Sequence, residues 1–182
     1  MSAPCYREQH LEPLPRELLR QPLEYILADH LRQRVLCVLC ERIAEAEDVN
    51  VDLIEEVLAF IRNDMMVHVI DEEQDLFPLI RRRAEPDDDI EAALGQLSGE
   101  HADDEALAME IIDGLEARLA APSQPMPEQL AAALRQFAHN QRHHLALENA
   151  TIMPLAKLRL SSRDLRELAA RMAARRGILL DA

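Results

Sequence analysis

His68-Val69-Ile70-Asp71-Glu72 and, 76 positions later, His144-Leu145-Ala146-Leu147-Glu148 decide how this chain is read. Each stretch is His-x-x-x-Glu, and each is followed by a proline six residues past its glutamate, Pro78 or Pro154. On a helix, residues i and i+4 are neighbours on one face, with Cβ atoms roughly 6 Å apart. Each motif therefore sets an imidazole beside a carboxylate. Upstream of each lies another helical stretch with one histidine in register, His30 or His101. Two similar helical hairpins packed into a four-helix bundle account for the echo.

Working outward, the pattern is helical throughout. The first 20 residues hold three of the ten prolines, Pro4, Pro13 and Pro15, and read as an irregular arm. A first helix is predicted from about Leu18 to Ala46, and a second from Val51 through Phe77, where Pro78 removes a backbone donor and must kink or end it. Glu85-Pro86-Asp87-Asp88-Asp89 is a helix start, with carboxylates at the positive dipole end. That third helix stops before the linker Pro122-Ser123-Gln124-Pro125-Met126-Pro127. A fourth follows from about Glu128 to Pro154. A fifth begins at Ser161 or Ser162, with Asp164 in capping-box spacing, and stops at Gly177. Nothing alternates with period two. The expected architecture is an all-α, up-down-up-down four-helix bundle, with an arm over 1–20, a bundle over 21–158, and a C-terminal helix within 159–182 packed on it.

Composition narrows the function. The 182 residues carry 34 acidic and 20 basic side chains, a net charge of −14. Nucleic acid and anionic membranes would repel such a chain. Apolar residues make up 48%, enough for a core, so the acidity does not imply disorder. No uncharged run approaches the roughly 18 residues that span a bilayer. The first residues, MSAPCYREQH, lack the apolar segment of a signal peptide, and three cysteines (Cys5, Cys37, Cys40) do not make a disulfide scaffold. A cytoplasmic setting is expected.

The chemistry follows from where the polar residues fall. The apolar row of helix two runs Ile54, Leu58, Ile61, Met65, then His68 and Glu72, then Leu76 and Leu79. Helix four gives Leu130, Leu134, Phe137, Gln141, His144 and Glu148. Helix three gives Leu94, Leu97, His101, Glu105, Ala108 and Ile112. Helix one gives Leu23, Ile26, Leu27, His30 and Cys37. Four histidines and three glutamates thus replace apolar residues in the seams that face the bundle interior. Desolvating an isolated carboxylate costs several kcal/mol even after relaxation. A buried set of His30, His68, Glu72, His101, Glu105, His144 and Glu148 needs cations to neutralise and organise it. Imidazole and carboxylate ligands suit iron or manganese better than structural zinc, where thiolates are common. Seven ligands exceed the needs of one ion and suit two.

Other residues read as structural. His139 and His143 sit off the seam as flank or surface groups, and His10 lies in the arm. Cys37 and Cys40 are expected as small buried core residues. Phe60, Phe77 and Phe137 are core residues that could also wall the site. Arg81-Arg82-Arg83 reads as a solvated helix end favoured by the dipole.

This constellation resembles the hemerythrin-like HHE cation-binding domains. Their pattern is a histidine on helix one, H-x-x-x-E on helix two, a histidine on helix three, and H-x-x-x-E on helix four. The resemblance covers about residues 20–158 and includes the strings running from Glu72 to Pro78 and from Glu148 to Pro154. It implies a di-iron centre in which Glu72 and Glu148 bridge two irons. His30 and His68 would complete one iron, and His101, Glu105 and His144 the other. Oxygen carriers of the family have a second helix-three histidine where this chain has Glu105. A third carboxylate should favour ferric over ferrous iron, which suits sensing or handling O2, peroxide, nitric oxide or iron better than oxygen storage. The implied partner is O2 or another small diatomic or oxidant. Two other roles fit the resemblance and the charge pattern: iron donation in iron–sulfur cluster repair, and metal-dependent docking through the arginines of helix five (Arg163, Arg166, Arg171, Arg175, Arg176), which leaves open a homodimer. A ferritin-like bundle would need Glu-x-x-His pairs in the seam, and none occurs there.

Overall fold

The computed structural model describes residues 10–180, and every regular element among them is helical. Helix α1 spans Pro22–Glu45. Helix α2 is one path of three α segments, Val51–Ala59, Met66–Asp71 and Phe77–Arg83, joined by π turns at Phe60–Met65 and Glu72–Leu76. Helices α3, α4 and α5 span Glu91–Ala120, Glu128–Arg159 and Ser162–Arg175. The four long helices form the bundle, with α4 packed against both α1 and α3, and α5 is the additional C-terminal helix.

Three boundaries depart from expectation. Neither proline ends its helix: α2 continues to Arg83 and α4 to Arg159. An interior proline costs about 3 kcal/mol, but Leu79 and Ile80 lie buried beyond Pro78, and Ala156 and Leu160 beyond Pro154. Burying each large side chain returns roughly 1.5–3 kcal/mol, so packing wins. The third helix starts later than Glu85. Glu85 and Asp88 cap each other around a single 3₁₀ turn, Pro86–Asp88, and Asp89 then adopts a left-handed conformation (φ 43°) that breaks the path before Glu91. The fifth helix matches its reading. Ser161 and Asp164 form the capping box, and Gly177 (φ 68°) closes a Schellman turn through Ile178 N–H to Ala173 O at 2.8 Å.

The arm is not loose over its described part. Residues Arg16–Arg20 form a 3₁₀ turn with Leu19 buried, and the Leu11 N–H donates to Glu56 at 2.5 Å. Cys5 lies outside the described residues. No described helix is long and apolar enough to cross a membrane.

The interior is two apolar clusters with a polar layer between them. One holds Leu36, Cys37, Cys40, Phe60, Ile61, Met65, Ala108, Phe137 and their neighbours. The other holds Ile26, Leu76, Phe77, Leu94, Leu97, Ile152 and the inner face of α5. The clusters meet where each bundle helix passes through its histidine. Helix α5 is clamped to α2 by ions: Arg175 and Arg176 on buried Asp71, and Arg171 and Arg175 on buried Asp75, at 2.7–2.8 Å for Arg176–Asp71, Arg171–Asp75 and Arg175–Asp75. At its other end, Asp164 accepts from Arg82 and Arg83 at 2.8 and 2.9 Å. The arginine run expected as a solvated helix end is therefore partly a tie to α5, and three of the five arginines at that end of the chain pair with α2 carboxylates, Arg175 and Arg176 half-buried and Arg171 exposed.

Candidate metal centre

Six of the seven sequence-selected residues converge in the polar layer. His30, His68, Glu72 and Glu148 bring one ligand atom each to within 4.8 Å of one another, and so do Glu72, His101 and His144; all six residues are buried. Glu72 belongs to both groups. Its Oε1 lies 3.0 Å from His68 Nε2 and 3.4 Å from His30 Nε2, and its Oε2 lies 3.4 Å from His101 Nε2. Glu148 Oε2 lies 3.3 Å from His30 Nε2 and 3.6 Å from His144 Nε2. The Nε2 atoms of His101 and His144 face each other at 3.1 Å.

Four residues that the sequence reading passed over hold the outer edges of the imidazoles. Asp29 on α1 meets His68 Nδ1 at 3.0 Å, and Glu100 on α3 meets His144 Nδ1 at 3.0 Å. Glu73 on α2 meets His101 Nδ1 at 2.7 Å, and Asn149 on α4 meets His30 Nδ1 at 2.9 Å. The supports form a closed ring, α1 to α2 to α3 to α4 and back. Each fixes the Nδ1–H tautomer and leaves an Nε2 lone pair directed inward, as metal-ligating histidines require. The ring has a sequence signal. An acid immediately precedes each lone histidine (Asp29-His30, Glu100-His101), and a polar residue immediately follows each motif glutamate (Glu72-Glu73, Glu148-Asn149). Asp29 is itself tied to Arg32, which also reaches Asp64 in the first π turn at 2.9 Å.

Glu105 is not part of the convergence. It is exposed, on the rim of a 220 Å³ hollow that His101 also lines, between the first π turn and α3. Its place in the seam came from stepping four residues twice, Leu97 to His101 to Glu105. A bundle seam advances by alternating steps of three and four, and the buried residues of α3 include Leu94, Leu97, His101, Asp104, Ala108, Ile111 and Leu115 in that rhythm, with Ile112 and Arg118 beside them. The inward acid is thus Asp104, which accepts from Asn140 at 3.0 Å and Gln141 at 2.8 Å on α4. The gathered set is four histidines and two glutamates, and the ferric bias argued from a third carboxylate lacks its geometric basis.

The electrostatics match a site built for cations. Burial works against a charged imidazole, yet the Glu148 and Glu72 carboxylates outweigh it and raise His30 to about 9. His101 is likewise raised to about 9 against burial, by Glu72 and Glu73, and His68 stands well above its ordinary value beside Glu72 and Asp29. Against burial, the surrounding imidazoles hold Glu72 well below the usual carboxylate range. Burial and the neighbouring Glu72 charge push Glu148 up. Glu72 Oε2, both Glu148 oxygens and His68 Nε2 are buried with no hydrogen-bond partner. Such orphaned atoms cost about 1–3 kcal/mol each, and Glu72 Oε2, Glu148 Oε2 and His68 Nε2 face the point where the ligand atoms gather. Two imidazole nitrogens turned toward each other complete a donor set that fits metal ions. Phe77 stacks on His101 (centroids 6.0 Å apart) and closes one side, whereas Phe60 and Phe137 are core residues. Cys37 and Cys40 are buried free thiols in the apolar cluster; burial pushes Cys37 up to about 11, and both are inert packing groups.

Fold and site together define a helical-bundle protein with a buried histidine–carboxylate cluster able to bind metal. The hemerythrin HHE cation binding domain matches residues 21–156, and the chain belongs to that family. No curated protein matches it.

Proposed function

We propose that this chain binds two iron ions in its buried layer and uses them to bind or sense O2 or a related small oxidant, nitric oxide included. His30, His68, Glu72 and Glu148 would hold one ion, and Glu72, His101 and His144 the other, so that Glu72 serves both. Iron bound there would supply redox chemistry and a coordination position open to a small molecule. The protein's own part is positional. Asp29, Glu73, Glu100 and Asn149 keep the rings in register, the two apolar clusters exclude water, and Glu72 stays ionised between the two groups. The observation that carries this reading is the set of buried unpaired Glu72 and Glu148 oxygens facing the inward Nε2 atoms.

Metal analysis with the visible spectrum of freshly purified protein tests it. Two irons per chain with near-ultraviolet ligand-to-iron absorption is the expected result. A single zinc, or no metal, would overturn it. Docking through the arginines of α5 is the weaker reading, because Arg171, Arg175 and Arg176 are already paired with the buried carboxylates Asp71 and Asp75 of α2.

A further inference from the structure

On the outer side of α3 and α4 lies a second group of metal-ligating side chains. A hollow of 370 Å³ is lined by Glu100, Asp103, Asp104, His139, Asn140 and His143, all polar. His139 and His143 are spaced i, i+4 on the exposed face of α4, the arrangement in which two imidazoles on one helix can share a cation. Glu100 and Asp103 are spaced i, i+3 on α3 and face them. Asp104 and Asn140 are already bonded to each other at 3.0 Å, so the remaining candidates are His139, His143, Asp103 and Glu100, whose Oε1 also accepts from Gln96 at 2.8 Å. Glu100 joins this group to the buried layer, since its Oε1 lies 3.9 Å from His143 Nδ1 while its Oε2 holds His144 Nδ1 at 3.0 Å. His139, His143 and Asp103 are exposed, and their ligand atoms are not gathered as those of the buried layer are; a bound cation would draw them in by turning solvated side chains.

We infer that His139, His143, Asp103 and Glu100 form a surface site for a divalent transition-metal cation, which captures ions ahead of the buried centre. Imidazole with carboxylate selects such cations over magnesium or calcium, and a net charge of −14 concentrates them at the surface. Full coordination here would draw on Glu100, the outer support of a buried imidazole. The capture role rests on the metal-centre reading above; the surface site itself does not.

The test uses the full chain and an H139A/H143A variant, whose folding is checked by circular dichroism. Each protein is dialysed, its retained metal measured, and then titrated calorimetrically with Zn2+. Wild type should take one further exchangeable cation per chain, and the variant should bind it at least tenfold more weakly with its retained metal unchanged. Uptake of Co2+ into chelator-stripped protein, followed by absorbance, should be several-fold slower in the variant. Equal Zn2+ binding by the two proteins, or equal Co2+ uptake rates, overturns the inference. Failure of the buried-centre reading is separately visible, as no dialysis-resistant metal in either protein.

Discussion

The two His-x-x-x-Glu copies have the same spacing and the same downstream proline, yet the helix treats them differently. Around His144 and Glu148, α4 is regular from end to end, with Pro154 inside it. Around His68 and Glu72, α2 widens into π turns on both sides, and the Phe77 N–H reaches back five residues to Glu72 O. Proline alone does not explain this, since both copies have it. What differs is the company each glutamate keeps. Glu72 is bracketed by Asp71 and Asp75, both held by α5 arginines. At the matching positions of α4 stand Leu147 and Thr151, and the Thr151 hydroxyl donates to Leu147 O at 2.7 Å within the helix. The lesson is that an ionic clamp outside the bundle accompanies the widened turn that lets one glutamate face three imidazoles. Glu148, in its regular helix, faces two.

The largest expected break in this comparison is chemical. Glu72→Ala should remove most bound metal, because both ligand groups use Glu72, whereas Glu148→Ala should keep a substantial fraction; equal losses by elemental analysis would erase the distinction. Next comes the clamp. Replacing Arg175 and Arg176 together with alanine leaves Asp71 without its arginines in a buried place and should cost about 3–5 kcal/mol in urea unfolding. Leu147→Ala and Thr151→Ala should together cost less, since both residues are only partly buried. A clamp variant as stable as wild type would show that α5 is merely appended.

The outer ring sharpens the comparison further. Asp29→Ala and Glu100→Ala should each weaken metal binding by roughly 10–100-fold, measured by competition with a chelating dye; a change below threefold would mean that packing alone orients His68 and His144. The pH response has a definite sign. In chelator-stripped protein, His30 and His101 are raised from about 6.5 to about 9, so their contribution to stability is complete below pH 6.5 and is lost as pH rises through 9. Metal must displace those protons, so its affinity should rise over the same window. Calorimetry in buffers of different ionisation enthalpy should record proton release near pH 7. The smallest effect concerns the proline. Pro78→Ala should leave metal content unchanged, and lost metal would return the π turn to Pro78.

Much of this was legible in the residues. Period-3.6 apolar rows announced an all-helical bundle, and one histidine per seam with two His-x-x-x-Glu copies announced the six residues that gather inside it. The α5 start and stop were also readable, because a capping box and a C-terminal glycine act locally. Glu105 was misplaced by a single residue: taking a step of four where the seam takes three rotates a side chain from the layer to the rim. Asp29, Glu73, Glu100 and Asn149 left a signal beside the ligands, but which helix each one supports is a long-range fact.

The sequence by itself determined the helices, their apolar faces and the polar layer, since periodicity and capping depend on residues a few positions apart. Only the tertiary structure decided that α2 widens around Glu72, that the supports close into a ring, and that Arg175 and Arg176 turn in onto Asp71. Those outcomes depend on which buried charges meet across helices. An unpaired charge in the interior costs several kcal/mol, enough to reshape a turn, and no local pattern reveals where its partner will come from.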